Sequence, residues 1–207
     1  RADGSVTTVA VSGSTVYACG GFITIGETTR HYIAAIEASS GLPTSWDPNA
    51  NDFVYRLVVS GTTIYAAGHF TSIGGAPRNY IAAIEASTGE PTAWNPSADG
   101  WVWALAISGT TVYAGGDFSY IKGVPRNYIA AIEASTGQPT AWDPSADDSV
   151  YALAVSGSTV YVGGVFNYIA GVPRNYIAAI DAVTCDPSSW NPDFDTAVYI
   201  MSVESNR

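Results

Sequence analysis

The chain has 207 residues, of which 47% are apolar and 12% aromatic, and its formal net charge is -10 with 13% of residues charged. Eight basic side chains, among which Lys122 is the one lysine, exclude the cationic footprint that nucleic acid and anionic membrane surfaces require. No apolar run reaches the length of a bilayer span. The charged share is low for a soluble domain, so the surface must be built from Ser, Thr, Asn and Gly.

The chain is an array of one unit. Tyr32–Pro48, Tyr80–Pro96, Tyr128–Pro144 and Tyr176–Pro192 are near copies, and Trp46, Trp94, Trp142 and Trp190 stand 48 residues apart. Such a unit cannot bury its apolar faces alone and must stack on its neighbours, which predicts a single repeat domain over 1–207. The units run 2–49, 50–97, 98–145 and 146–193, with a partial copy in 194–207.

In chain order, the first unit opens with a predicted strand at Val6–Ser12. The third shows the full set: Trp101–Ser108, Thr111–Gly115, Tyr128–Ala134 and Thr140–Trp142, all rich in β-branched and aromatic residues. Ser12-Gly13-Ser14, Ser60-Gly61-Thr62, Ser108-Gly109-Thr110 and Ser156-Gly157-Ser158 are tight turns between first and second strands. A longer loop with a Gly-x-Pro turn leads to the third strand, and a Thr-Gly-x-Pro turn leads to the fourth. Ala104-Leu105-Ala106-Ile107 is apolar on both faces, as expected of a strand in a sheet packed between two others. The expected fold is therefore all-β, a β-propeller-like array of four 48-residue, four-stranded blades plus an extra C-terminal strand at Val198–Val203.

VYALAVSGSTVYVGGVF (Val150–Phe166), PRNYIAAID (Pro173–Asp181) and the W-N-P at Trp190 resemble the secreted bacterial and archaeal propellers built from delta-60-type repeats, through all four units and the tail. The resemblance implies a propeller and a secreted or cell-surface location, and it carries no reaction. The Lys-poor, Ser/Thr/Tyr-rich composition leans the same way. The chain begins at Arg1 rather than Met, which reads as a processed product whose leader has been removed.

The tail Val198–Val203 repeats the first strand of the first unit. Three readings stand open. The chain is a piece of a longer propeller; or the tail displaces or augments its N-terminal twin; or it pairs with the next molecule, which would build a polymer.

Residues kept in every unit point to the fold, and departures from the pattern point to function. Arg30, Arg78, Arg126 and Arg174 precede Glu37, Glu85, Glu133 and Asp181 by seven residues, which suggests structural Arg–carboxylate forks. The loops after each Trp alternate oxygen side chains: Asp47, Asn49 and Asn51; Asp99; Asp143 and Asp147; Asp193 and Asp195. That spacing opens a calcium loop, but no acidic residue closes it at the twelfth position, and Asx turns are the structural alternative. Calcium is the one cofactor considered.

After the double-glycine position the residue varies as Gly21, His69, Asp117 and Val165, making His69 and Asp117 the candidate ligand-binding pair. His31 replaces the Asn found at 79, 127 and 175, and Arg56 stands where Ala104 and Ala152 follow. Trp101 and Trp103 suit either packing between blades or stacking on sugar rings. Cys19 and Cys185 replace residues that are small elsewhere. They are a candidate disulfide across a ring closure, a source of an intermolecular bond, or two separate thiols.

No nucleophile–base or metal-hydrolase motif occurs. The expected function is a non-enzymatic extracellular scaffold that self-assembles through its spare strand or engages other surface proteins. The alternative is a glycan- or cell-surface-binding propeller module that uses its blade-end loops.

Overall fold

Short β-branched and aromatic runs broken by glycine turns satisfy their backbone groups by pairing with one another. The computed structural model describes residues 1–203, and among these no helix is formed. Blade 1 comprises β1 (Val6–Ser12), β2 (Thr15–Gly20), β3 (Thr24–Ile25), β4 (Thr28–Thr29) and β5 (Ile33–Glu37). Blade 2 comprises β6 (Val54–Ser60), β7 (Thr63–Gly68), β8 (Ser72–Ile73), β9 (Ala76–Pro77) and β10 (Ile81–Glu85). Blade 3 comprises β11 (Val102–Ser108), β12 (Thr111–Gly116), β13 (Tyr120–Ile121), β14 (Val124–Pro125) and β15 (Ile129–Glu133). Blade 4 comprises β16 (Val150–Ser156), β17 (Thr159–Gly164), β18 (Tyr168–Ile169), β19 (Val172–Pro173) and β20 (Ile177–Asp181).

Each blade is an antiparallel three-stranded sheet with its second strand in the middle, in the order β1-β2-β5 and its equivalents. The hairpin turns work as their sequences imply: Gly13, Gly61, Gly109 and Gly157 all have φ near 56°, a region that costs glycine no Cβ clash. The loop between second and third strands carries its own two-residue ribbon, such as β13 with β14.

The fourth strand is reduced. Pro43, Pro91, Pro139 and Pro187 each form only an isolated bridge, to Ile36, Ile84, Ile132 and Ile180. The bridge comprises two bonds, in blade 3 from the Glu133 N–H to the Gln138 carbonyl and from the Thr140 N–H to the Ala131 carbonyl, both 2.8 Å, and it goes no further because the next donor, the Trp142 N–H, bonds the Thr140 Oγ1 at 3.2 Å.

Residues Val198–Val203 form no strand. The middle strand β17 is already paired on both sides, by β16 and β20, so the tail finds no free ladder edge there. It lies on blade 4 instead, with the Val198 N–H bonded to the Gly164 carbonyl at 3.1 Å. The last four residues of the expected partial repeat, 204–207, lie outside the described residues.

The chain divides into two compact units, Arg1–Ser97 and the remainder from Ala98, at the boundary between the second and third repeats. Within the first, Val54 and Leu57 of β6 pack on Tyr17, Cys19, Ile33 and Trp46 of blade 1. Within the second, Val150 and Leu153 of β16 pack in the same way on Tyr113, Ile129 and Trp142 of blade 3. Such close packing needs small residues in the middle strand. A Cβ on Gly115 would stand 2.5 Å from Val150 Cγ1. Phe22, Phe70, Phe118 and Phe166 are fully buried, one per blade, each contributing about 1.5–3 kcal/mol of hydrophobic stabilisation.

Candidate functional site

The repeated polar residues prove to be backbone fasteners. Arg30, Arg78, Arg126 and Arg174 do not fork onto the carboxylates seven residues later. Their Nη2 atoms donate to the carbonyls of Thr44, Thr92, Thr140 and Ser188 at 2.5–2.7 Å. Their Nη1 atoms donate to the carbonyl of the preceding residue. A planar guanidinium can thus tie the loop before the third strand to the reduced fourth strand, where missing ladder bonds leave carbonyls free. Where a carboxylate is near, it comes from the loop after Trp: Asp47 lies 3.6 Å from Arg30 and Asp143 3.5 Å from Arg126. Glu37 instead accepts from Ser40, and Asp181 from the Val183 and Thr184 N–H groups.

The oxygens considered for calcium are spent similarly. Asn51 Oδ1 accepts the Thr71 and Ser72 N–H groups. Asp99 Oδ1 takes those of Ser119 and Tyr120, and Asp147 Oδ1 those of Asn167 and Tyr168. Asp3 does the same in the first blade, and its two backbone donors hold its carboxyl below the ordinary value. Asn49 bonds His31 and Asp193 bonds Asn175, while Asp195 is exposed in the tail. Among the described residues, no three His, Cys, Asp or Glu side chains converge to hold a metal ion.

The position held by Gly21, His69, Asp117 and Val165 keeps one backbone bond while its side chain varies. Its N–H donates to the Ser5, Phe53, Trp101 and Ser149 carbonyls respectively. His69 sits in the first unit, edge-on to Tyr55 at 4.8 Å. Asp117 sits in the second, fixed beside the half-exposed Trp101. A feature not foreseen from the sequence adjoins them. Each first strand carries a bulge, after Val6, Val54, Val102 and Val150, and the bulged residues are Thr7, Tyr55, Trp103 and Tyr151. Bulges re-aim a side chain. In the second unit they align Trp103 on Tyr151 at 6.0 Å, and Tyr151 on Tyr199 of the tail at 5.2 Å. The signal was present as aromatics recurring every 48 residues from 55 to 199.

Both cysteines are free thiols rather than a disulfide. Cys19 is sealed in the core of the first unit beside the Thr7 hydroxyl, and burial pushes its thiol up to about 12. Cys185 packs at the edge of the core of the second unit, in a turn with φ 69°, the conformation its glycine counterparts adopt.

Two surfaces depart from the burial that the repeat leads one to expect. On β1, Val6, Val9 and Val11 are exposed, Val9 at 60%, while the equivalents Leu57 and Leu153 are at 3% and 2%. On blade 4, Trp190 is 45% exposed, whereas Trp46 and Trp142 are at 5%. Met201, Ser202 and Val203 of the tail cover that face loosely, lining with Tyr161, Ile177 and Trp190 an open pocket of about 390 Å³.

No family model matches the chain, and no curated protein sequence matches it. Solved structures do. The computationally designed Ika4 protein is similar at TM-score 0.58 and 16% identity, over 86% of this chain and 92% of that one. The designed Ika8 protein is similar at 0.58 and 16%, over 97% and 66%. A chain of the mitotic checkpoint complex is similar at 0.65 and 13%, over 96% of this chain and 55% of that one, so this chain spans about half its length. At such identities the likeness concerns architecture, and the architecture is all-β, with four repeated blades in a propeller-like arrangement.

Proposed function

We propose that the protein is a non-enzymatic interaction scaffold whose role is to associate with further copies of itself. The observation that carries this reading is the inner strand of blade 1. It presents Val6, Val9 and Val11 to solvent, although the equivalent residues of β6 and β16 are built to be covered by a neighbouring blade. A contiguous apolar stripe on a strand is an association surface more often than an idle one. The polar residues support the same reading, because Asn51, Asp99, Asp147 and the arginine series are committed to backbone bonds rather than gathered around a reacting atom. The resemblance of the repeat to secreted propellers supports an extracellular setting. Electron microscopy of the purified full chain should show particles larger than one chain; a uniform population of single chains at every concentration would contradict the proposal.

A further inference from the structure

The contact between neighbouring blades within a unit has two halves; among the described residues, blade 1 presents an exposed first half and blade 4 an exposed second half. The donating half is a first strand, with valine at its start. The receiving half is the outer face of the preceding blade, formed by a Tyr and a small residue of the middle strand, an Ile of the third strand and the Trp. In the first unit Val54 and Leu57 meet Tyr17, Cys19, Ile33 and Trp46. In the second, Val150 and Leu153 meet Tyr113, Ile129 and Trp142, with Val150 seated on Gly115. Two hydrogen bonds close the contact: Trp46 Nε1 donates to the Glu85 carbonyl at 3.0 Å, and Trp142 Nε1 to the Asp181 carbonyl at 2.9 Å.

The uncovered donating half is β1. The receiving half without a blade is Tyr161, Gly163, Ile177 and Trp190. The tail occupies that face as a stand-in: Val198, one repeat beyond Val150, sits on Gly163, where an added Cβ would come within 2.9 Å of the Val198 Cβ. It is an incomplete cover, since it leaves Trp190 half-exposed, leaves an open pocket beside it and exposes its own Ile200 at 85%.

Resting on the scaffold reading above, we infer that β1 of a second copy displaces the tail and docks on blade 4. Val6 of the second copy takes the place of Val198 on Gly163, and Trp190 donates to the Glu37 carbonyl of the second copy. The occupant is another copy because both halves match a contact the chain already makes, position for position, with Val9 where Leu57 and Leu153 stand. The contact is head-to-tail, so each docked copy leaves the same pair of surfaces free for the next.

The test is a disulfide trap. Cys19→Ala and Cys185→Gly give a thiol-free background, since the repeat carries Ala67 and Gly137 at the equivalent places. Into this background Val6→Cys is placed in one preparation and Gly163→Cys in another. Cys19 itself occupies the position equivalent to 163, which shows that the site accepts a cysteine. An added Cβ on Gly163 would stand 2.9 Å from the Val198 Cβ, nearer than the roughly 3.5–4.5 Å of a disulfide, so the docked strand must shift outward by about 1 Å for the bond to form. Mixed under mild oxidation, the two preparations should yield a covalent dimer that neither yields alone, and Val9→Asp on the Val6→Cys chain should cut the yield about tenfold or more, a loss of about 1.4 kcal/mol. Association of the parent chain without this cross-link would overturn the contact and leave the scaffold reading standing. No association at all would overturn both.

Discussion

At the scale of the residue, oxygens that look free in the sequence are bound in the fold. Asp99 accepts two N–H groups through one oxygen, and Asn51 does the same work as an amide. Asp99→Asn should therefore leave the melting temperature nearly unchanged, while Asp99→Ala should lose about 0.5–1.5 kcal/mol as the two exposed donors exchange the side chain for water. Thermal melts with calcium and with chelator should superimpose; a calcium-dependent melt that Asp99→Asn removes would favour the calcium reading instead. Alternation of Asp and Asn was legible, but which atoms the oxygens face depends on the ribbon twenty residues away, which no local pattern reveals. Cys19 carries a second prediction. Its thiol is held neutral by burial, so the stability it contributes is full below the unfolded value near 9.0 and falls as pH rises toward about 12. A thiol reagent should label Cys185 in the native protein and reach Cys19 only on unfolding, and Cys19→Ala should flatten the alkaline loss. Rapid native labelling of Cys19 would contradict its placement in the core.

At the scale of the element, glycines and prolines do most of the shaping. A Cβ on Gly68 would collide with the Phe53 carbonyl at the bulge, so Gly68→Ala should cost about 1–3 kcal/mol in chemical denaturation, against little for an exposed turn substitution. A neutral Gly68→Ala would mean that the bulge is not as close as described. The first three strands were readable because β-branched runs and Ser-Gly turns act locally. The fourth was over-read: Thr140-Ala141-Trp142 has strand composition, yet the Trp142 N–H that would extend the ladder is taken by the Thr140 hydroxyl. The tail was over-read for a different reason. Val198–Val203 copies β1 in sequence, but a strand also needs an unpaired edge, and β17 has none to offer. The bulges, and with them the row Trp103, Tyr151 and Tyr199, were invisible because a bulge is a property of two strands in register, not of either alone.

At the scale of the whole molecule, the proposed function rests on the surfaces where burial departs from the repeat. Translation by 48 residues predicts which surfaces should be buried, and the departures, Val9 on one blade and Trp190 on another, could be found only once burial was known. The two departures are complementary, and from them follows the central claim that one chain end is made to meet the other end of a further copy. Sedimentation velocity of the full chain over a wide range of concentration tests it most directly, with Val9→Asp run alongside. The account predicts a weight-average mass that climbs with concentration for the parent chain and stays at that of one chain for Val9→Asp. A parent chain that sediments as a single copy throughout, or a Val9→Asp variant that associates as the parent does, would contradict it.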